Sequence, residues 1–457
     1  MSIDCIGFLR NVMIGRPAEL AVVHSGSPHD YAELQARLAF WEDRLVREGI
    51  APGRVVSLEG DYTLETIAAF LALTANGNVI VPMSADSMPH AETFRRVAQV
   101  EHCLRPEHER PVVTTGQQAS HPMYETLRAR SAPGLVLFSS GSTGEKKAAV
   151  HDLTRLLEKF RTPRFAYRTL VFLQLDHIGG INTLLYTLAN GGAVVVAASR
   201  SPVAVVEAIE RYKVELLPTS PTFLNLLMLS GEHTRHDLSS LKLITYGSEP
   251  MPESTLRNAA EAFPQAKLLQ TYGLTEVGIL RSQSRGSNSL WVRVGGEGYE
   301  TKVVDDRLWI RAASAMLGYL NAPSPFDADG FFDTGDRVEV DGEWLRIIGR
   351  ESEVINVGGS KVVPTDVESV LLDLENVVEA AVHGEPHPIT GQIVVATVRL
   401  RDEEPLDAFK VRLRRFCQTR LAPHEVPAKI RLATGPLHST RFKRMRKELS
   451  LSAADAR

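Results

Sequence analysis

Cysteine is scarce in this 457-residue chain: Cys5, Cys103 and Cys417 are too few and too far apart for a disulfide framework or a paired zinc knuckle. That usage suits a reducing cytoplasm. An excess of one charge sign is lacking too. With 51 Lys and Arg against 55 Asp and Glu, the formal net charge is −4, so no basic field draws the molecule onto nucleic acid or an anionic membrane. The longest apolar run, residues 66–83, is interrupted by Asn76, Gly77 and Asn78, which argues against a membrane span. Asp4 precedes the first basic residue, Arg10, so the N-terminus lacks the form of a secretory signal. Internal repeats and low-complexity segments are missing as well. What remains is a globular composition, 44% hydrophobic and 23% charged, long enough for two or three subdomains and suited to small-molecule partners.

Residues 31–48 place apolar groups at helical spacing, and residues 55–58 and 79–82 read as short buried strands. From about 135 to 196, and again from 203 to 246, strand, loop and helix alternate, the signature of stacked βαβ units and mostly parallel sheets. Beyond Gly298 short β-rich runs joined by Asp/Gly turns predict an antiparallel or barrel-like unit. A helical stretch (364–374) and a fresh strand (377–383) begin just after Arg350. The expected architecture is therefore α/β: a large N-terminal domain, 1–349, with stacked βαβ sheets and a small barrel-like unit, then a small mobile α+β domain, 350–457.

Three segments carry candidate chemistry. Behind an apolar strand, Ser139, Ser140, Gly141, Ser142, Thr143 and Gly144 form a loop whose N–H groups and hydroxyls suit an anion, and Lys147 adds positive charge. It is not a Walker loop, which disfavours a P-loop kinase. In TYGLTEVG, residues 271–278, Tyr272 can cover a base, Thr275 can bond a phosphate and Glu276 can hold a hard cation. A later hairpin places Asp336 and Arg350 at its ends, and a carboxylate there can grip ribose hydroxyls. Taken singly, each segment equally fits a turn or loop. His383-Gly-Glu-Pro-His387 resembles a zinc helix at a glance, but its glutamate is misplaced and Pro386 opposes a helix.

Together, in this order, these segments resemble the acyl-adenylate-forming (AMP-binding) superfamily of acyl-CoA ligases, luciferase and peptide-synthetase adenylation domains, with motifs closest to the acyl-CoA ligases. The resemblance runs from Tyr31 to Leu449. It implies that the loop from Ser139 to Lys147 clamps ATP phosphates. Gly247, Ser248 and Glu249 would line the adenine and acyl pocket, and Gln270, Thr271 and Tyr272 the adenine-side turn. Thr275 would meet the α-phosphate, Glu276 would hold Mg2+, and Asp336 with Arg350 would hold the ribose. His177, before Gly179 and Gly180, matches the aromatic gate between ATP and acid. Ser352 falls at the hinge, Gly358 and Gly359 in the loop that meets the acceptor, and Lys443 at the adenylation lysine.

The resemblance implies an AMP-forming acid-thiol ligase: a carboxylic acid is activated with ATP and Mg2+, and the acyl group passes to coenzyme A. Ile178 is apolar where amino-acid-activating domains place an aspartate, which favours CoA. The alternatives are loading of an acyl carrier protein's phosphopantetheine, thioesterification of a preformed acyl-AMP, and a non-catalytic nucleotide-binding regulator. Two departures touch the first half-reaction. Lys146-Lys147-Ala148 replaces the usual Pro-Lys-Gly, and Phe442 stands where the glycine before the lysine is usual. Adenylation is therefore expected to be slower than thioester formation.

Overall fold

The computed structural model describes residues 4–140 and 146–446. Gly141, Ser142, Thr143 and Gly144 of the phosphate loop lie outside the described residues.

Apolar strands buried on both faces build two seven-stranded sheets. One runs Lys267–Gln270, Leu243–Tyr246, Leu216–Thr219, Arg168–Leu170, Ala193–Val195, Leu20–His24 and Ser27–Asp30, all parallel except the last pair. The other is parallel through Gly134–Ser140, Val79–Met83, Val55–Glu59 and His102–Leu104 and antiparallel at both edges. Between them lies the helix Leu64–Ala75, apolar nearly all round as a helix enclosed by sheets must be. Tyr31–Arg47 is a helix as its spacing predicts, opened by a capping box from Asp30 and Glu33. The antiparallel unit is a six-stranded sheet that includes Phe332–Asp341 paired with Trp344–Arg350.

One local expectation gives way. The stretch from 135 to 196 does not continue as a single βαβ series. After the phosphate loop, Lys146–Asp152 turns back antiparallel to Gly134–Ser140, in register from Ser140 opposite Lys146 to Gly134 opposite Asp152. Ala148, Ala149 and Val150 are fully buried, and pairing puts them into the core at the cost of only a short connection. Residues 141–145 therefore connect two antiparallel strands, and among the described residues the chain continues from them as a strand, not a helix.

After Arg350 come a short 3-10 turn, Glu351–Glu353, and a five-stranded sheet with its own core, flanked by the helices Pro364–Leu372 and Leu406–Gln418. His383 and His387 lie on a strand, Val377–His387. Among the described residues no helix is long and apolar enough to cross a membrane.

Candidate active site

The parallel strands Leu216–Thr219, Leu243–Tyr246 and Lys267–Gln270 end side by side, and the segments leaving them form the floor of a cavity of about 580 Å3. Gly247, Ser248 and Thr271 line it, as does His177. Ser248 has φ +71, a left-handed conformation costly for a side-chain-bearing residue and characteristic of functional turns. Gln270 is buried at its strand end, and its Oε1 accepts no hydrogen bond among the described residues.

Beside this floor the polar groups are already paired. The Tyr272 hydroxyl donates to Asp336 Oδ2 at 2.6 Å, and Arg350 Nε stands 3.5 Å from Asp336 Oδ1. The hairpin register places Asp336 directly opposite Arg350. Burial pushes the Asp336 carboxyl up, with the Arg350 guanidinium opposing it. Thr275 and Glu276 sit in the turn between Gly273–Leu274 and Gly278–Ile279. The Tyr319 hydroxyl donates to Glu276 Oε1 at 2.6 Å, and Lys147 Nζ lies 5.3 Å from the centre of the same ring. Asn321 accepts from the Ala148 N–H and donates to the Lys146 carbonyl, which fixes the strand leaving the phosphate loop.

His177 caps the helix Ile178–Ala189: its Nδ1 accepts from the Gly179 N–H at 3.1 Å, which leaves the proton on Nε2. Burial, with help from Lys443 and Arg441, holds its pKa well below the usual value, so the ring is neutral at pH 7. A Cβ on Gly180 would stand 1.9 Å from the Gln174 carbonyl oxygen, so only glycine lets the chain fold back there.

Lys443 arrives on the C-terminal segment, which is clasped to the large sheet system at several points. Arg441 pairs with Asp176 at 2.8 Å, and Ser220 Oγ donates to the Phe442 carbonyl at 2.8 Å. Glu249 takes the Thr222 N–H on Oε1 at 2.8 Å and the Arg444 N–H on Oε2 at 3.1 Å. Burial lowers the pKa of Lys443; Glu249 counteracts this, while Arg441, Arg350 and Lys146 add to it. Lys443 is thereby held between the anchored Phe442 carbonyl and the Arg444 N–H on Glu249. Phe442 has φ +53, the left-handed conformation a glycine takes freely, and its ring packs 5.3 Å from Phe172, 5.2 Å from Phe223 and 5.2 Å from His438. The side chain expected to hinder this segment is thus its anchor.

Not every site residue comes to the cavity. Ser352 is exposed in the 3-10 turn between Arg350 and Ile355. Gly358 and Gly359, with φ +59 and +91, make the exposed tip of the hairpin between Ile355–Val357 and Ser360–Val362.

Family models give these groups a common origin: one for the AMP-binding enzyme matches residues 10–320, and one for the AMP-binding enzyme C-terminal domain matches residues 366–442. The chain belongs to the AMP-binding enzyme family. It is similar to a feruloyl-CoA synthase of an Amycolatopsis species, 27% identical over 91% of this chain and 92% of that protein. Among solved structures it shares its fold with an anthranilate CoA ligase in complex with anthranoyl-AMP (TM-score 0.82, 21% identity, 99% of this chain and 98% of the other). An amide bond synthetase from Marinactinospora thermotolerans is another (TM-score 0.77, 24%, 98% and 99%). Relatives named as CoA ligases and synthetases agree with an AMP-forming acid-thiol ligase.

Against that family background, Tyr319 and Asn321 are the functional neighbours that sequence reasoning missed. Neither side chain advertises chemistry, and only the pairing of Tyr319 with Ala149 carries them to Glu276 and the phosphate loop. The donor chemistry at Glu276 fits magnesium: it is a hard carboxylate oxygen donor, oriented by the Tyr319 hydroxyl.

Proposed function

We propose that this enzyme uses ATP and magnesium to convert a carboxylic acid into an acyl-AMP and then transfers the acyl group to the thiol of coenzyme A. The observation that carries this reading is the clasp that holds the Lys443-bearing segment on the strand ends flooring the cavity, where Ser220 Oγ donates to the Phe442 carbonyl and Glu249 accepts the Arg444 N–H.

A carboxylate oxygen is a poor leaving group until it becomes part of AMP. In this reading Asp336 accepts the ribose hydroxyls, Tyr272 lies along the base, and Thr275 meets the α-phosphate. The Lys443 ammonium holds the developing charge where acid carboxylate and α-phosphate meet. The ribose replaces no partner of Asp336, because Tyr272 and Arg350 already orient that carboxylate. Glu276 holds magnesium, whose chemistry there is to offset charge on the departing pyrophosphate, with Lys147 assisting. Neutral His177 separates the nucleotide from the acid without competing for either anion.

The second half-reaction needs the other face of the small domain. We place the domain boundary at 349/350 and the hinge at Ser352, supported by that residue's exposed turn between two independently cored units. Rotation there would withdraw Lys443 and bring Gly358 and Gly359 to the thiol path. Three buried, unpaired cysteines are in keeping with a cytoplasmic enzyme.

The deciding experiment is to screen carboxylic acids for magnesium-dependent pyrophosphate release, then to add CoA or a phosphopantetheinylated carrier protein. Acid-dependent release followed by acyl-CoA formation is the expected result. Release without acid dependence, or acyl transfer to the carrier protein alone, would overturn the activity as proposed.

A further inference from the structure

The acyl cavity is lined by both apolar and cationic side chains. Leu216, Leu243, Leu269 and Leu280 line its walls, while Arg155, Lys159, Arg161, Arg164 and Arg281 face it against only two carboxylates, Glu158 and Glu297. Arg161 pairs with Glu158 at 2.9 Å and Arg155 stands 3.8 Å from Asp152. Lys159, Arg164 and Arg281 have no carboxylate in ion-pair reach among the described residues.

Lys159 is the inner member of this group. Its Nζ donates to the Ile279 carbonyl at 2.9 Å, which uses one of three N–H bonds. It shares a small recess with Ile178, Ile181, Asn182 and Leu185 on the helix that His177 caps. Asn182 is five residues beyond His177, roughly 7.5 Å along the axis at the helical rise. Lys159 is half-buried, with its Nζ 5.1 Å from the centre of the Phe160 ring, and an anion brought to an ammonium that lacks a counter-ion against such a wall is favoured.

We propose that Lys159 is a specificity-determining residue, the cation of an anion-binding subsite in the acyl cavity, and that the acids this enzyme activates carry a second anionic group separated from the reacting carboxylate by an apolar spacer. The substrate class is thus a dicarboxylic acid with an apolar spacer. The proposal rests on the acid-activating reading of the same site. Burial, reinforced by the Arg164 guanidinium, holds the free ammonium down at about 7, as an unpaired cation in an apolar wall should be.

The test is pyrophosphate release without CoA, using α,ω-dicarboxylic acids of four to ten carbons, para-substituted aromatic diacids, and the matched monoacids and monomethyl esters. Omitting CoA removes its phosphates as competing anions. The expected result is at least tenfold higher kcat/KM for one diacid than for its monoacid and ester. Lys159→Met should bring that ratio to within about twofold of one while monoacid turnover persists, and Lys159→Arg should keep it. If Lys159→Met does not fold, Lys159→Gln and the parent ratio decide the matter. Monoacid turnover with no diacid preference, or a preference that survives loss of the ammonium, would overturn the subsite. In a second assay that follows acyl-CoA formation with CoA varied, a Lys159→Met defect appearing only as a raised KM for CoA would overturn the subsite and reassign the cation to the acceptor. No release with any acid would instead refute the activating reading itself.

Discussion

The proposed nucleotide end and the proposed acyl end of this site are built on opposite plans. At the nucleotide end the polar groups satisfy one another before any ligand arrives: Tyr272 to Asp336, Asp336 to Arg350, Tyr319 to Glu276. At the acyl end apolar walls meet several cations, of which Lys159, Arg164 and Arg281 have no carboxylate in ion-pair reach among the described residues. Pre-paired groups cost no reorganisation when they are used, which suits a substrate that never changes. An unpaired charge leaves the cavity incomplete until the right acid fills it, which suits discrimination.

The largest effect should come from the residue standing where the two ends meet. Lys443→Ala is expected to slow acyl-AMP formation from acid and ATP by about 10²–10³-fold, the scale for removing one positioned charge from a transition state. The same variant given synthetic acyl-AMP and CoA should form thioester at the parent rate. Equal damage to both half-reactions would show that Lys443 serves the fold.

Next in size is the ribose carboxylate. Asp336→Ala removes a charged acceptor and strands the buried Tyr272 hydroxyl, about 2–3 kcal/mol by the scale for charged hydrogen bonds. Single-turnover titration with ATP should show KM raised on the order of 30–150-fold with the acid KM little changed. An unchanged ATP titration would mean that the nucleotide end is held by other groups.

How much of this was legible in the sequence follows the same division. Asp336, Arg350, Tyr272 and Glu276 fall in short segments where neighbouring residues share one task, so their spacing carries meaning. The acyl cavity is assembled from chain positions as far apart as Lys159 and Ala313, one or two side chains at a time, and no window of sequence contains it. The α/β class and the antiparallel unit were likewise readable from local periodicity. The strand Lys146–Asp152 was not, because three small apolar residues after a Ser/Gly loop fit a helix or a returning strand equally well, and only the sheet decides. Phe442 shows the limit most plainly. As a letter it reads as a lost glycine, and its packing against Phe172 and Phe223 is invisible without the fold.

That ring gives a smaller, two-sided prediction. Phe442→Gly relieves a left-handed residue, worth about 1–2 kcal/mol, but forfeits the larger packing of a half-buried aromatic on the core beneath it. The net loosening of the clasp should slow adenylation about fivefold to tenfold and leave thioester formation from acyl-AMP unchanged or faster. Phe442→Leu should recover part of the loss, since it keeps an apolar contact. Faster adenylation in the glycine variant would mean that the ring obstructs the segment after all.

The smallest effect is a pH dependence confined to the acyl end. Lys159 in the free enzyme titrates at about 7, pushed down by burial and by Arg164. It is therefore charged below that pH and neutral above it. The other charged groups facing the cavity are the guanidinium groups of Arg155, Arg161, Arg164 and Arg281 and the carboxylates of Glu158 and Glu297. His177, held well below its usual range, stays neutral throughout. Any change in discrimination over this interval thus belongs to Lys159. The ratio of kcat/KM for a diacid to that for its monoacid cancels the titration of ATP and of groups common to both reactions. That ratio should fall severalfold from pH 6 to pH 8.5, because the cation that favours the second carboxylate is lost as pH rises through the free-enzyme pKa. Lys159→Arg, which cannot deprotonate in this range, should flatten the profile at the high-ratio end, and Lys159→Met should flatten it at the low end. A ratio independent of pH in the parent, or one that falls equally in Lys159→Arg, would assign the discrimination to the guanidinium groups lining the cavity and leave Lys159 a structural donor to Ile279 alone.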